Sequence, residues 1–409
     1  VKLRSAFQPI FSLSHQRIVG HEALIRATDP HGNPIAPKAL FESCRSVEAL
    51  RFLDDNCLKL HTHGFAKGAS PAQWLFLNVD ASLFTAPNHA PPAEVMRRVA
   101  ERAGLSPTQI VIEILEDAVP EGTEFEAEIR ALRDAGFLIA LDDFGAGHSN
   151  FDRVFRLRPH VVKLDRSVIL RATQDDTVRR VTAQMISLLH ECGALVLVEG
   201  VETSDEAYIA LDADADFVQG FHFARPAPKP LKQAGYSQAM QDVWEICETR
   251  ADVDMRGYRE RVRPYAEALM HAAQQLEAGR EAIDACYAFL SLDDADVCYV
   301  LDARGLQVGE NLFREPADHV ADIHDPFAPL QDTTGACWSR RPYFRRAVAA
   351  PGVLQVTRPY LTMQSMRMCV TLSLSFETPE GMLILCGDMV WRASVPRPTF
   401  GATATDPTF

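Results

Sequence analysis

The sequence predicts an α/β barrel of the (β/α)8 type, then a helical linker, then a smaller α+β domain. Three observations predict it. Short apolar runs alternate with helix-like stretches about eight times in the first 230 residues. An apolar residue then recurs every seven positions along one long helical stretch. From about Asp293 the pattern changes to strand-like runs separated by turns. A chain of 409 residues is too long for one ordinary domain and comfortable for two.

The barrel runs are Phe7–Phe11, Arg17–Arg26, Trp74–Val79, Gln109–Leu115, Phe137–Asp142, His160–Asp165, Ala194–Glu199 and Asp216–Val218. Most are rich in Val, Ile, Leu or Phe, as strands covered on both faces should be. Helical patterns such as Ala93–Gly104 and Val178–Gly193 lie between them, with Gly193 as a helix stop. The stretch ARPAPKP closes the barrel near residue 230, which gives a barrel over 1–235. A linker over 236–291 holds helices at Ser237–Thr249 and Gly257–Leu290. In the second, Val262, Leu269, Leu276, Ile283 and Leu290 form a heptad seam, which suits either a coiled-coil dimer or a helix docked on its own barrel. A dimer seam of this kind could couple the last domain to the barrel. Pro264 is expected in the first helical turn, or else the helix kinks there. Strands are expected at Val297–Leu301, Gly352–Val356, Met366–Phe376 and Met382–Trp391 within a domain over 292–396, and 397–409 reads as a disordered tail.

Composition narrows the function. Net charge is −14, a poor balance for gripping long nucleic acid through its phosphates. No apolar run approaches a membrane span and no signal peptide is visible, so a cytoplasmic location is expected. The start at Val1 rather than Met leaves room for a preceding segment. Nine cysteines without a CxxC pair read as reduced thiols.

Nearly every barrel run carries an acidic, amide or Lys residue near its end: Asn78, Glu113, Asp142, Lys163, Asp165, Glu199 and Gln219. In a parallel barrel those ends converge on one rim. Any one of these acids could be a solvated strand end or a helix cap. Together they would repel one another unless something positive lies between them, and divalent metal ions supply that charge. An all-oxygen set without Cys suits Mg²⁺ or Mn²⁺ rather than zinc.

Eight segments in order resemble the EAL domain family: FQPI at Phe7–Ile10, EALIR at Glu22–Arg26, LNV around Asn78 and IEILE at Ile112–Glu116. DDFGAGHSN at Asp142–Asn150, KLD at Lys163–Asp165, VEGVE at Val198–Glu202 and QGF at Gln219–Phe221 complete the series. The resemblance implies a modified (β/α)8 barrel that hydrolyses cyclic di-GMP to linear pGpG with two divalent cations, Mg²⁺ or Mn²⁺, and that is inhibited by Ca²⁺. It implies that Glu22, Asn78, Glu113 and Asp142 bind one metal, that Asp142 bridges to a second held by Asp143, and that Glu199 and Asp165 belong to the same cluster. It assigns Lys163 to orienting the attacking water, Gln219 to supporting water or substrate, and Gln8 and Arg26 to ligand contact. Glu116 matches the position that steadies the acidic loop, which also contributes to dimer contacts, so a homodimer is expected. Leu115 stands where the family usually has Thr, and Ala146, His148 and Asn150 replace Thr, Tyr and Ser. These changes bear on loop dynamics, and His148 reads as a plain loop substitution or as an extra base. A receptor that binds cyclic di-GMP without turnover, or a ligand sensor whose barrel signals through a partner, are the alternatives.

The last domain resembles PAS- or Cache-like sensor modules through Tyr299–Asn311, Arg341–Ala347, Arg358–Leu361 and Gly387–Trp391. A small-molecule pocket there could use Arg341, Tyr343, Tyr360 and Asp388, since Arg and Asp can clamp a zwitterion. The plainer reading makes them a structural ion pair and core tyrosines.

Overall fold

The structure, a computed structural model, describes residues 1–80, 90–116, 119, 123–147, 150–232, 238–313, 333, 335–362, 367–379 and 381–392. His148, Ser237, Met366, Glu380 and the tail 397–409 lie outside the described residues. The chain divides into two units, Val1–Arg250 and Ala251–Phe409.

The first unit carries nine strands: β1 (Lys2–Ser12), β2 (Arg17–Thr28), β3 (Pro34–Ile35), β4 (Trp74–Asn78), β5 (Ile110–Leu115), β6 (Leu138–Phe144), β7 (Val161–Leu164), β8 (Leu195–Val198) and β9 (Phe217–Val218). They pair in the order β1-β9-β8-β7-β6-β5-β4-β2-β3, and a further β1–β2 pairing closes eight of them into a barrel. The barrel is not wholly parallel. β1 runs antiparallel to both β2 and β9, while the pairings along the series β2-β4-β5-β6-β7-β8-β9 are all parallel. Only residues 13–16 join β1 to β2, which is enough for a hairpin and too short for the crossover that a parallel pair needs.

Outside the strands pack α1 (Pro37–Glu42), α2 (Val47–Ala66), α3 (Pro92–Ala103), α4 (Thr123–Asp134), α5 (Phe151–Leu157), α6 (Arg166–Gln174), α7 (Asp176–Glu191) and α8 (Ser204–Asp212). Local chemistry sets their ends. The Ser46 side chain accepts from Ala49 N to start α2, and Thr203 and Glu206 form a reciprocal capping box at α8. α3 stops at Gly104, whose φ of 70° suits a residue without a side chain. The main core lies between strands and helices, and a second apolar layer of Ile10, Phe76, Val111, Ala140, Val161, Leu197 and Phe217 fills the barrel interior.

α9 (Gln238–Glu277) runs unbroken through Gly257 and Pro264, so the break expected after Thr249 falls instead at residues 278–281, and Pro264 is interior rather than in a first turn. The division between units falls within α9. Its start belongs to the first unit, where Trp244 Nε1 donates to the Leu13 carbonyl. Its later turns and α10 (Ala282–Leu290) cover one face of the second unit's sheet. That sheet contains β10 (Ala295–Asp302), β11 (Gln307–Leu312), β12 (Gln355–Val356), β13 (Tyr360–Leu361), β14 (Met368–Thr378) and β15 (Gly381–Val390), all antiparallel, and α11 (Pro342–Ala349) precedes β12.

The heptad seam therefore serves neither expected role. Val262, Tyr265, Leu269 and Ala272 pack on Leu372, Leu374, Leu385 and Met389 of this sheet. The seven-residue count does not carry through to α10: Gly279, with φ 79°, lies between the helices, and Ile283 is 47% exposed.

Candidate active site

The polar residues at the rim stand on the interior apolar layer with a constant offset. Residues two apart on a strand share a face. Asn78 follows Phe76 by two, Glu113 follows Val111, Asp142 follows Ala140, Lys163 follows Val161, Glu199 follows Leu197 and Gln219 follows Phe217. In β1 the direction is reversed, so Gln8 precedes Ile10 by two and pairs across from Glu22. Six strands so contribute to one polar layer near their C-terminal ends, while β2 with Glu22 and the antiparallel β1 with Gln8 contribute through their middles.

Lys163 occupies the centre, fully buried. Its Nζ lies 2.5 Å from Glu113 Oε1, 2.6 Å from Glu199 Oε1, 3.0 Å from Asp142 Oδ1 and 3.9 Å from Glu22 Oε2. Burial alone would lower its pKa, but the four carboxylates outweigh burial and hold the ammonium well above its ordinary range. The carboxylates respond in the opposite sense. Burial, helped by the neighbouring acids, pushes Glu113 well above the usual range and Glu199 up to about 8, and it raises Asp143. One ammonium does not neutralise this many buried acids.

Amides hold Glu22 in place. Asn78 Nδ2 donates to Oε1 at 3.0 Å and Gln219 Nε2 donates to Oε2 at 2.8 Å. Each amide thereby keeps its carbonyl oxygen for another partner. Gln219 Oε1 and Glu113 Oε2 are buried without a hydrogen bond among the described residues. Such orphaned acceptors call for a cation. One ligand atom each from Glu22, Glu113 and Glu199 lie within 4.8 Å of one another, and so do atoms of Asp142, Asp143 and Glu199. Two overlapping all-oxygen triads with unsatisfied acceptors fit hard divalent cations.

Asp142 and Asp143 are consecutive on β6, so regular pleating would send them to opposite faces. The β6–β7 register shifts between Leu141 and Phe144, and Asp143 takes φ 59°. This bulge turns the second carboxylate toward Glu199 with the first. The turn that follows uses Gly145 at φ 96°, where a Cβ would collide with Val168. Glu116 braces the far side of the loop: Oε1 accepts from Asn150 N at 2.7 Å and pairs with Arg153 at 3.2 Å. Asn150 itself caps α5.

Three expected residues take other positions. Asp165 caps α6 by accepting from Ser167 N, while lying near enough to Asp143 to add to its upward push. Arg26 is exposed and donates to its neighbour's carbonyl, Ile25 O, and the Gln8 side chain makes no hydrogen bond among the described residues. Leu115 is 46% exposed, outside the polar layer. The sequence reading missed Arg171, whose Nη2 donates to Gly145 O at 3.0 Å. No local pattern marks an arginine one helix away as a partner of this loop.

Fold and site together define an α/β barrel with an acidic, lysine-centred site at the strand-end rim. The sequence model of the EAL domain family matches residues 2–226, and the chain belongs to that family. Over 350 residues it is 23% identical to YkuI, an EAL-domain protein of Bacillus subtilis, covering 83% of this chain and 82% of YkuI. The YkuI crystal structure with c-di-GMP and calcium superposes with a TM-score of 0.78 over 95% of this chain and 96% of that one, at 21% identity, so the likeness extends to the second unit's fold. The cyclic di-GMP phosphodiesterase RocR of Pseudomonas aeruginosa is 27% identical over 229 residues, 54% of this chain. Klebsiella pneumoniae BlrP1, in a manganese complex with cyclic di-GMP, matches 55% of this chain and 56% of its own, with TM-score 0.50 and 28% identity. Relatives that match the barrel alone are spanned only in part: the chain covers 57% of RocR and 31% of a protein from Azorhizobium caulinodans. Among the described residues, no helix is long and apolar enough to cross a membrane.

Proposed function

We propose that this chain hydrolyses cyclic di-GMP to linear pGpG with two divalent cations, Mg²⁺ or Mn²⁺. The observation that carries the reading is the ring of Glu22, Glu113, Asp142 and Glu199 around Lys163, with Asp143 turned in beside it. Glu22, Asn78, Glu113 and Asp142 would hold one cation, Asp142 and Asp143 would hold a second, and Glu199 belongs to the same cluster with Asp165 beside it. Two such cations would supply charge to neutralise the phosphodiester and acidify the attacking water. Lys163 donates to that water and orients it, and Gln219 positions it through its free carbonyl oxygen. Gln8 and Arg26 meet the ligand, Arg26 at a phosphate. Glu116, Asn150 and Arg171 keep the acidic loop in register.

The second unit is a PAS- or Cache-like sensor that regulates the rate, and the protein works as a homodimer. The domain boundaries that suit this reading are 1–235, 236–291 and 292–396.

Chromatography tests it. Incubation with cyclic di-GMP and Mg²⁺ or Mn²⁺ yields pGpG, and EDTA abolishes the product. Ca²⁺, with its looser and larger coordination, supports binding and little turnover. Binding without product in either metal refutes the enzyme and leaves a receptor.

A further inference from the structure

The buried face of α2 is interrupted by an acid. Positions three, four and seven apart on a helix share a face. Asp54, Cys57, Leu58, His61 and Phe65 are buried on that face of α2, and Leu58 and Phe65 join the main core. Asp54 is 5% exposed. Its side chain has no hydrogen bond or ion pair among the described residues, and the charges that act on it are Asp80 and Asp55, both of its own sign. Burial, helped by these two acids, pushes its carboxyl up to about 7. A buried acid without a partner is costly and calls for an explanation.

Asp54 does not meet solid core. It lines a cavity of about 360 Å³ between α2 and α3, with Leu58, Met96 and Val99 as apolar wall. Arg51, Lys59, Arg98 and Arg102 also line it. Arg51 is half-buried and the other three are exposed, so the cations stand toward the mouth and the acid lies deep. Arg98 reaches Glu94 only at 3.9 Å on the surface. Arg51, Lys59 and Arg102 make no ion pair among the described residues. Four cationic side chains thus line the cavity against two acidic ones, Asp54 and Asp55. None of the rim residues Glu22, Glu113, Asp142, Lys163 and Glu199 lines it.

This charge pattern selects a ligand. Cations at the mouth repel a metal ion or a polyamine and attract a phosphate, which guanidinium groups grip through paired hydrogen bonds. A bare phosphate would leave Asp54 unmatched. The match for a carboxylate in a recess is a neutral group with two adjacent N–H donors, one for each oxygen. Guanine nucleotides carry both features, because N1–H and the N2 amino group lie side by side on the base edge. Adenine offers one donor beside an acceptor there, and a carboxylate repels the acceptor. The volume suits such a ligand, since small-molecule pockets begin at about 300 Å³.

We propose that the cavity between α2 and α3 is a second nucleotide site, which binds a guanine nucleotide with its base edge on Asp54 and its phosphate among Arg51, Lys59, Arg98 and Arg102. The proposal does not depend on turnover at the rim. The test titrates the full chain with GMP by calorimetry in EDTA, where the rim is a metal-free cage of acids that repels phosphate. AMP, guanosine and inorganic phosphate are the controls. GMP binds saturably, and each control binds at least roughly tenfold more weakly. The isosteric Asp54→Asn weakens GMP roughly tenfold or more, and the exposed Arg102→Gln about threefold, with circular dichroism unchanged. Glu22→Ala at the rim binds GMP as the parent does. Absence of saturable GMP binding, equal binding of AMP or of phosphate alone, or full GMP affinity in Asp54→Asn overturns the proposal.

Discussion

Both units bury carboxylates, and they manage them in opposite ways. At the barrel rim four acids share the Lys163 ammonium, two amides fix Glu22, and Gln219 Oε1 and Glu113 Oε2 are left without a hydrogen bond among the described residues. On the second unit's sheet Asp388 has a hydroxyl and no cation within pairing distance among the described residues. The rim is an assembled anionic cage with its counter-charge partly built in. The sheet site is a single buried acid whose counter-charge is supplied from elsewhere or replaced by a proton. Position in the fold explains the difference: a barrel converges many strand ends on one point, whereas an open sheet brings only adjacent strands together.

The largest effect should come from removing the rim's own cation. Lys163→Ala leaves Glu113, Asp142 and Glu199 buried without their pair, which costs about 3–5 kcal/mol in metal-free protein. Mg²⁺ should restore part of that loss, because the orphaned acceptors then gain a cation. Urea unfolding with EDTA and with Mg²⁺ checks both halves, and equal midpoints for variant and parent in EDTA refute the cage. Turnover should vanish in Lys163→Ala and in Glu22→Ala while circular dichroism is retained. Full turnover by either removes the assignment of roles.

Next in size is a pair of substitutions along the seam of the long helix. Leu269 is fully buried against the second unit's sheet and Ile283 is 47% exposed, although the heptad count treats them alike. Leu269→Ala should cost about 2–5 kcal/mol. Ile283→Ala should stay within about 0.5 kcal/mol. Comparable losses in denaturant unfolding would mean that Ile283 is covered in solution, and a dimer through α10 would become the explanation.

That pair also shows where the sequence was readable. The barrel strands were legible because each combines an apolar run with a polar residue on the same face, two positions past the interior layer, as in Val161 with Lys163 and Leu197 with Glu199. The reversed direction of β1 was not, since apolar runs carry no arrow; only the short connection before β2 hinted at it. The consecutive acids Asp142 and Asp143 could be recognised as a motif, but the bulge that turns both to one rim depends on pairing with β7. The seam's partner was misjudged because periodicity reveals an apolar stripe and not what covers it. Gly257 was taken for a helix start. Its cost of about 1 kcal/mol in a helix interior is offset by burial of Tyr258 and Val262 nearby. Asp388 came out of the sequence as one member of a clamp. Its lack of a cation could not, because the pairing of β14 with β15 that brings Thr371 to it is not visible in the sequence.

The last prediction concerns that acid and is read against pH. Asp388 has its folded-state pKa raised to about 7 by burial, and an unfolded Asp titrates near 3.9. Between those values the folded protein holds one proton more than the unfolded chain. Its contribution to stability therefore falls as pH rises, by about 1.4 kcal/mol per unit, and levels off below and above that window. Asp388→Asn carries no such term. The stability of the parent minus that of Asp388→Asn should decline from about pH 4 to about pH 7, because groups common to both proteins cancel in the difference. A difference that is level across the window means that Asp388 is already ionised and paired, which would make the sheet site like the barrel rim and erase the contrast between the two units.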